Sequence, residues 1–536
     1  VAALRGQAER LLSHVEARED LSSVDVGWSL ATGRTAFEHR AVVIGDRDGL
    51  RAGLGALVRG EDVPGVVAGP ASGVSGAGGR VVMVFPGQGS QWAGMAVELL
   101  DSSSVFAERF AECGRALAEF VEWDLEGVVR QASGAVSLER VDVVQPVLWA
   151  VMVSLAELWR SFGVVPAAVV GHSQGEIAAA CVAGALSLRD GAKVVALRSQ
   201  SIAEGLAGLG GMAAVSLTAV QVAERIATFD GRLSVATVNG PTSVVVAGEV
   251  EALEELLAEC ETEGVRARRI AVDYASHSAQ VEVIEDRLAE LLVGVVPRSS
   301  SVPFYSTVTG GLIDTADLDA GYWYRNLRQT VRFEETVGAI LDGGDAVFVE
   351  ASAHPLLAIG LQEIAEARGA EGSVVLGSLR RDEGGLDRFL TSLAEAYVRG
   401  VAVDWAAAFA DSGAAWVDLP TYAFQRERFW VGEEPGSGVV ESSVGVGGLV
   451  EGLAGCSEGE RLGVLLELVR GQVAVVLGYG SVDGVDVGRS FKDLGFDSLM
   501  AVELRNRLAD ATGLRLPSSL LFDYPTPSVL VRHMDA

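Results

Sequence analysis

Apolar residues along the chain fall into two rhythms. Short continuous runs at 81–85, 167–170 and 346–350 read as buried strands, and stretches at 104–119, 147–159, 177–185 and 191–202 read as helices. Alternation of the two over residues 81–409 predicts an α/β body. Between 210 and 271 the pattern is denser. Strands at 212–217, 233–239, 243–248 and 267–272 enclose helices at 220–229 and 251–264, a β-α-β-β-α-β order that predicts a ferredoxin-like unit inserted in the larger domain. Residues 1–78 show helix-like stretches at 4–19 and 50–59, a strand-like run at 40–45, and a closing Gly/Ala/Ser/Pro-rich link at 63–79. The aromatic-rich stretch 415–430 reads as extended and suits a tail packing back on earlier domains, and the Gly/Ser/Val-rich stretch 432–455 reads as a flexible linker. From Ser457 onward, Leu462, Leu465, Leu466, Val469, Val473 and Val476 follow helical spacing and open a small helical domain.

Composition narrows the function classes. A chain of 536 residues predicts about three domains. With 42 basic against 72 acidic residues the formal charge is −30, which argues against a nucleic-acid ligand. No uninterrupted apolar run of about 18 residues is found, so no membrane span is expected. Cys113, Cys181, Cys260 and Cys456 show no paired spacing, so neither a disulfide framework nor a metal site is expected, and the expected setting is a reducing cytoplasm. The opening residues lack an initiator Met and form a charged amphipathic stretch, which leads us to expect a segment of a longer polypeptide.

The strongest chemical signal is Gly171-His172-Ser173-Gln174-Gly175, a Gly-x-Ser-x-Gly sequence between a strand-like and a helix-like run. Such an elbow lifts a serine hydroxyl above the strand ends, and the helix behind it offers free N–H groups to an oxyanion. A base is needed, and the chain has six histidines. His277 follows a polar loop and starts a new helix, whereas His172 adjoins the serine on a sharp turn and points elsewhere. His354 supports the site or caps a helix. The loop Pro86-Gly87-Gln88-Gly89 after the first core strand lacks the phosphate-binding lysine and glycine spacing, and offers instead the Gln88 N–H. Arg198 lies on an apolar helix, as either a structural ion pair or a clamp for a carboxylate. Near the C-terminus, Asp497 or Ser498 stands where a loop becomes a helix, with plain N-capping as one reading.

Taken in order, Gly-Gln-Gly-Ser-Gln at 87–91, Gly-His-Ser-Gln-Gly at 171–175, Arg198, Asn239-Gly-Pro, Tyr-Ala-Ser-His at 274–277 and Leu-Gly-Phe-Asp-Ser-Leu at 494–499 resemble modular type I polyketide synthases. The resemblance implies a ketosynthase-to-acyltransferase linker at 1–78, an acyltransferase domain at 79–414 with its ferredoxin-like subdomain at 209–272, a post-acyltransferase linker at 415–431, a flexible linker at 432–456 and an acyl carrier protein at 457–536. The implied fold is multidomain: an α/β-hydrolase-like core with the inserted subdomain, a small α/β linker domain, and an all-α helical-bundle carrier. One departure is Ala353, where the family usually has Pro before its His.

By the same resemblance, Ser173 is the nucleophile and His277 its base, oriented by a main-chain carbonyl. The Gln88 and Gln174 N–H groups form the oxyanion hole. Arg198, Asn239, Tyr274 and Ser276 bind substrate, and Ser498 carries 4′-phosphopantetheine attached by a phosphopantetheinyl transferase. The implied reaction is ping-pong transfer of an acyl group from acyl-CoA to the carrier. Arg-Val-Asp-Val-Val-Gln at 140–145, Gln174 and Tyr274–His277 resemble the methylmalonyl-selecting pattern, with (2S)-methylmalonyl-CoA as the expected substrate. The implied partners are the ketosynthase of the same module and neighbouring modules. Malonyl or ethylmalonyl specificity, a starter-loading didomain, a serine hydrolase or thioesterase, and an inactive scaffold are the competing readings.

Overall fold

In the computed structural model, the structure describes residues 1–71, 79–410, 412–425, 457–479, 481–517 and 519–535. They belong to two compact units: Gly69–Ala410, and the chain ends Val1–Ala68 with Asp411–Ala536.

The larger unit is built on a six-stranded sheet. Its spatial order is Gly311–Ile313, Phe304–Ser306, Ala168–Gly171, Val81–Phe85, Val347–Glu350 and Val374–Gly377. All neighbours are parallel except the edge strand Gly311–Ile313. Strands Val81–Phe85 and Ala168–Gly171 are buried along their whole length. Helices cover both faces, so no position on these strands faces water, and that is why they read as unbroken apolar runs. Register aligns Val84 with both Val170 and Glu350. The loops leaving the carboxyl ends of three central strands therefore meet at one edge, the place where open α/β sheets bind ligands.

The inserted unit has strand order Leu233–Gly240, Ser243–Gly248, Gly211–Val215, Ala267–Ile270, all neighbours antiparallel. With helices Ala219–Ile226 and Val250–Thr262 packed on one core, this is the ferredoxin-like arrangement.

In the other unit, helices Ala2–Ala17, Ser23–Gly33 and Arg47–Arg59 accompany strands His39–Val43 and Val66–Pro70. The segment 412–425 runs back along the first two helices. Arg34 Nη2 donates to Pro420 O at 2.8 Å, Val417 N to Ser29 Oγ at 2.9 Å and Ala423 N to Gln7 Oε1 at 3.0 Å. Near the C-terminus, helices Glu458–Val476, Ser498–Thr512, Leu520–Asp523 and Pro527–Asp535 close on Leu465, Val469, Val473, Leu504, Leu508 and Leu530.

Four expectations change. Helix Ser23–Gly33 goes unseen by periodicity, and part of the expected link at 63–79 is the strand Val66–Pro70. The helix expected from residue 147 begins at Val141 and runs to Ser161. Pro146, the sixth residue of this helix, lies past the first turn and removes one intrahelical hydrogen bond, yet the helix runs through it, held by burial along most of its length. That places Gln145 inside a buried helical turn. The same helix is long and apolar enough by length and composition to cross a membrane, but 89% of its most apolar window is packed inside the fold. His277 does not start an α-helix. It occupies a left-handed turn (φ 60°) before the 3₁₀ segment Ala279–Ile284. The linker at 432–456, the end of the 63–79 link and Phe429 and Trp430 lie outside the described residues.

Candidate active site

Two glycines set the elbow. A Cβ on Gly171 would sit 2.2 Å from Glu176 N, and one on Gly175 would sit 2.0 Å from Phe85 O. Backbone crosses backbone at both points, so no side chain fits. Gly175→Ala should therefore destabilise the unit by about 3 kcal/mol, near the upper range for overpacking. Thermal melting of the purified variant checks this, and an unchanged Tm would refute it. His172 N donates to Phe85 O at 2.8 Å and ties the turn to the next strand. Ser173 is held at φ 53°, a conformation that costs a non-glycine residue about 1 kcal/mol or more and is found at functional sites.

Ser173 Oγ lies 2.9 Å from His277 Nε2, and His277 Nδ1 lies 2.7 Å from Gln329 O. A carbonyl only accepts, so Nδ1 carries the proton and Nε2 presents its lone pair to the serine hydroxyl. The orienting group is a main-chain carbonyl. A hydrolase triad places a carboxylate there, and the buried carboxylate nearest in sequence to the serine, Glu176, is engaged elsewhere. His277 is 3% exposed. Burial, and then the Arg198 charge, push its pKa down to about 3. The imidazole is thus neutral, ready to accept a proton, from mildly acidic pH upward.

The N–H groups of Gln88 and Gln174 donate to no acceptor among the described residues. The first leaves the end of strand Val81–Phe85; the second precedes helix Gly175–Ala183. Two free N–H groups flanking a nucleophile are suited to an oxyanion. Tyr274, whose hydroxyl donates to Gln88 Oε1 at 2.9 Å and lies 3.5 Å from Gln145 Nε2, braces the first of them.

Arg198, on helix Leu188–Gly205, is 1% exposed. Its Nη1 donates to Gln145 Oε1 at 3.0 Å and its Nη2 to Asn326 Oδ1 at 3.4 Å, both neutral groups, while its Nε has no partner. No carboxylate among the described residues forms an ion pair with it. Burial lowers its pKa to about 10, so the guanidinium remains charged. No structural ion pair of the kind the sequence allows is found among the described residues: the Glu176 charge acts on Arg198 only from behind Asn326, and a buried cation whose direct partners are neutral has capacity for an incoming anion.

Asn326 brings these parts together. Its Nδ2 donates to Ser173 O at 3.1 Å while its Oδ1 faces Arg198. Ser276 is buried beside His277. Asn239 Oδ1 accepts from His172 Nε2 at 2.7 Å, since a carbonyl oxygen can only meet a ring N–H, and this bond engages His172 away from Ser173 Oγ. His354 Nδ1 accepts from Arg381 N at 3.2 Å. Ala353 is fully buried, and its carbonyl accepts from Trp92 Nε1 at 3.0 Å. Ser498 opens the 15-residue helix Ser498–Thr512, and Asp497 caps that helix by accepting from Met500 N at 2.7 Å.

Sequence reasoning missed Asn326, Glu176 as more than a letter of the motif, and the Gln329 carbonyl. A glutamate among apolar helix positions was a visible signal. A main-chain carbonyl leaves none.

Comparison with known proteins follows the same division. A family model described as "Acyl transferase domain" matches residues 82–403, one described as "Phosphopantetheine attachment site" matches 467–534, and one described as "CurL-like, PKS C-terminal" matches 1–52. The spectinabilin polyketide synthase system protein NorC of Streptomyces orinoci is 54% identical over 528 residues, covering 95% of this chain and 23% of that protein. The pikromycin polyketide synthase component PikAIII of Streptomyces venezuelae is 52% identical over 431 residues, covering 80% of this chain and 26% of that protein. The chain thus spans about a quarter of each of these curated relatives. Among solved structures, the acyltransferase domain from module 8 of the salinomycin polyketide synthase aligns with TM-score 0.72 and 57% identity, over 76% of this chain and 95% of that one.

Proposed function

Because this chain belongs to the acyl transferase family and joins such a domain to a phosphopantetheine attachment site of the polyketide synthase type, we propose that it selects a carboxylated extender, methylmalonyl-CoA, and passes the acyl group through Ser173 to the carrier. The observation that carries this reading is the placement of Ser173 and an unpaired, buried Arg198 on the two ends of one Asn326 side chain.

Each group has a derived part. His277 Nε2 takes the Ser173 proton as Oγ attacks the thioester carbonyl. The developing oxyanion is met by the Gln88 and Gln174 N–H groups. Collapse breaks the carbon–sulfur bond, His277 returns the proton to the departing CoA thiolate, and acyl-Ser173 remains. Arg198 holds the free carboxylate through its unpartnered Nε and the N–H groups of its terminal nitrogens not taken by Gln145 and Asn326, with the buried, unpartnered amide of Gln174 as further hydrogen-bonding capacity. For deacylation, neutral His277 takes the proton of the attacking thiol and gives it to Ser173 Oγ.

Ser498 fits the attachment of 4′-phosphopantetheine. It is half-exposed at the first turn of a helix, where free N–H groups and the dipole favour a phosphodiester. When bound, that group supplies the accepting thiol. Methylmalonyl is favoured over malonyl because Ser276, small and beside His277, leaves space for an α-methyl that an aromatic side chain would fill. One methyl is worth about 1–3 kcal/mol, so selection is modest. The ketosynthase of the same module, neighbouring modules and a phosphopantetheinyl transferase are the partners we propose, in a reducing cytoplasm where Cys113, Cys181 and Cys260 stay free thiols.

The test offers equal malonyl-, methylmalonyl-, acetyl- and propionyl-CoA to the phosphopantetheinylated full chain and reads intact mass. A methylmalonyl adduct that is lost in both Ser173→Ala and Ser498→Ala is expected. A propionyl or acetyl adduct would make the chain a starter loader, and free acid without adduct would make it a hydrolase.

A further inference from the structure

Glu176 has no place in the chemistry above, yet it is 0% exposed beside the nucleophile. Its carboxylate accepts from Thr307 N at 2.5 Å, Thr307 Oγ1 at 2.7 Å, Tyr322 OH at 2.5 Å and Asn326 Nδ2 at 2.9 Å. Every partner is a donor, so the carboxylate is a pure acceptor. The consequence falls on Asn326. A side-chain amide has one accepting and one donating end, and the two could exchange by a half-turn. The NH₂ end here faces two acceptors, Glu176 and Ser173 O. The oxygen end is thereby forced toward Arg198. Reversed, the amide would set N–H against a guanidinium N–H and oxygen against a carboxylate and a carbonyl, repulsive contacts on both sides.

We infer that Glu176 is a positioning residue for substrate choice: through Asn326 it locks the amide oxygen on Arg198 and so fixes the guanidinium at the distance from Ser173 that a carboxylated acyl group requires. The inference rests on the reading of Arg198 as the carboxylate clamp. It also accounts for an acid in the elbow helix, a place otherwise lined by Ile177, Ala178 and Ala179, all fully buried. Glu176 stands one helical step from the nucleophile, Asn326 on the helix Ala320–Arg328, and Arg198 on a third element. A single carboxylate thus ties three separate segments into one frame. A misplaced clamp weakens the carboxylate contact and leaves the dyad, which is oriented by Gln329, in place.

The discriminating readout is the ratio of Ser173 acylation efficiency (kcat/KM) for methylmalonyl-CoA over propionyl-CoA, measured on the full chain. Glu176→Gln keeps the shape and replaces one accepting oxygen by an NH₂, which allows the Asn326 amide to turn. Asn326→Ala removes the link outright and serves if the first variant does not fold. Arg198→Ala is measured alongside. We expect the ratio to fall roughly tenfold or more in both Glu176→Gln and Asn326→Ala, the scale of a lost charge-assisted hydrogen bond, with propionyl transfer changed much less in Glu176→Gln and lowered as well in Asn326→Ala, which also loses the bond to Ser173 O. A proportional loss on both substrates with the ratio intact would overturn the inference and leave Glu176 a structural residue. If the ratio is also unmoved in Arg198→Ala, the clamp reading itself has failed, and the inference falls with it.

Discussion

Ser173→Ala is expected to abolish the acyl-enzyme and, with it, every loading of Ser498, while the melting temperature stays close to wild type. The substitution removes one hydroxyl whose contact is the 2.9 Å bond to His277, so little folding energy is at stake. His277→Ala should lower acylation by about 10²- to 10⁴-fold, the usual worth of a positioned base. The two residues form one device, since the hydroxyl is a nucleophile only while its proton is being taken. The double variant should therefore be no slower than Ser173→Ala alone, because effects of groups acting as a unit do not add. Single-turnover acylation followed by intact mass measures all three. Residual acyl-enzyme in Ser173→Ala would show that another group accepts the acyl chain and would remove Ser173 from the mechanism.

The second large effect belongs to Arg198. Arg198→Ala should cost about 10²- to 10³-fold in kcat/KM for methylmalonyl-CoA, the scale of a buried charge left without its partner. Propionyl-CoA, which brings no carboxylate, should lose little. A pH signature accompanies it. Burial is the main cause of the depressed His277 pKa, and the Arg198 charge is the next. Removing that charge raises the His277 pKa from about 3 toward its ordinary value. The base must be neutral to work, so its activity is lost as pH falls through its pKa. The acidic limb of the propionyl-transfer profile should accordingly move to higher pH in Arg198→Ala, and an unmoved limb would contradict the electrostatic coupling. A bound carboxylate acts in the same direction as the substitution: by countering Arg198 it makes His277 more basic, so the correct substrate improves its own catalyst.

Much of this arrangement was legible in the sequence where the physics is local. Strand, tight turn and helix within ten residues define the elbow, and Gly171 and Gly175 are demanded by backbone contacts within and next to that turn, so Ser173 could be picked out before any fold was known. Burial on both faces writes itself as the unbroken runs at 81–85 and 167–170, and the ferredoxin-like insertion announces itself by strand and helix order. Resemblance to a family supplied His277, Arg198, Gln88 and Ser498, which composition and spacing alone left open between chemistry and structure.

Other features are set by tertiary contact, because they join atoms far apart along the chain. Whether Arg198 is an ion pair or a clamp depends on who surrounds it, and its neighbours Gln145 and Asn326 come from 53 residues before and 128 residues after. The start of helix Val141–Ser161 was hidden by Pro146, whose effect depends on its position in a helix whose other end is fixed by packing. The carbonyl of Gln329 has no residue type to read. The orientation of the Asn326 amide, and with it the role of Glu176, exists only where three segments meet, since a side-chain amide shows which end donates only when its partners are in place.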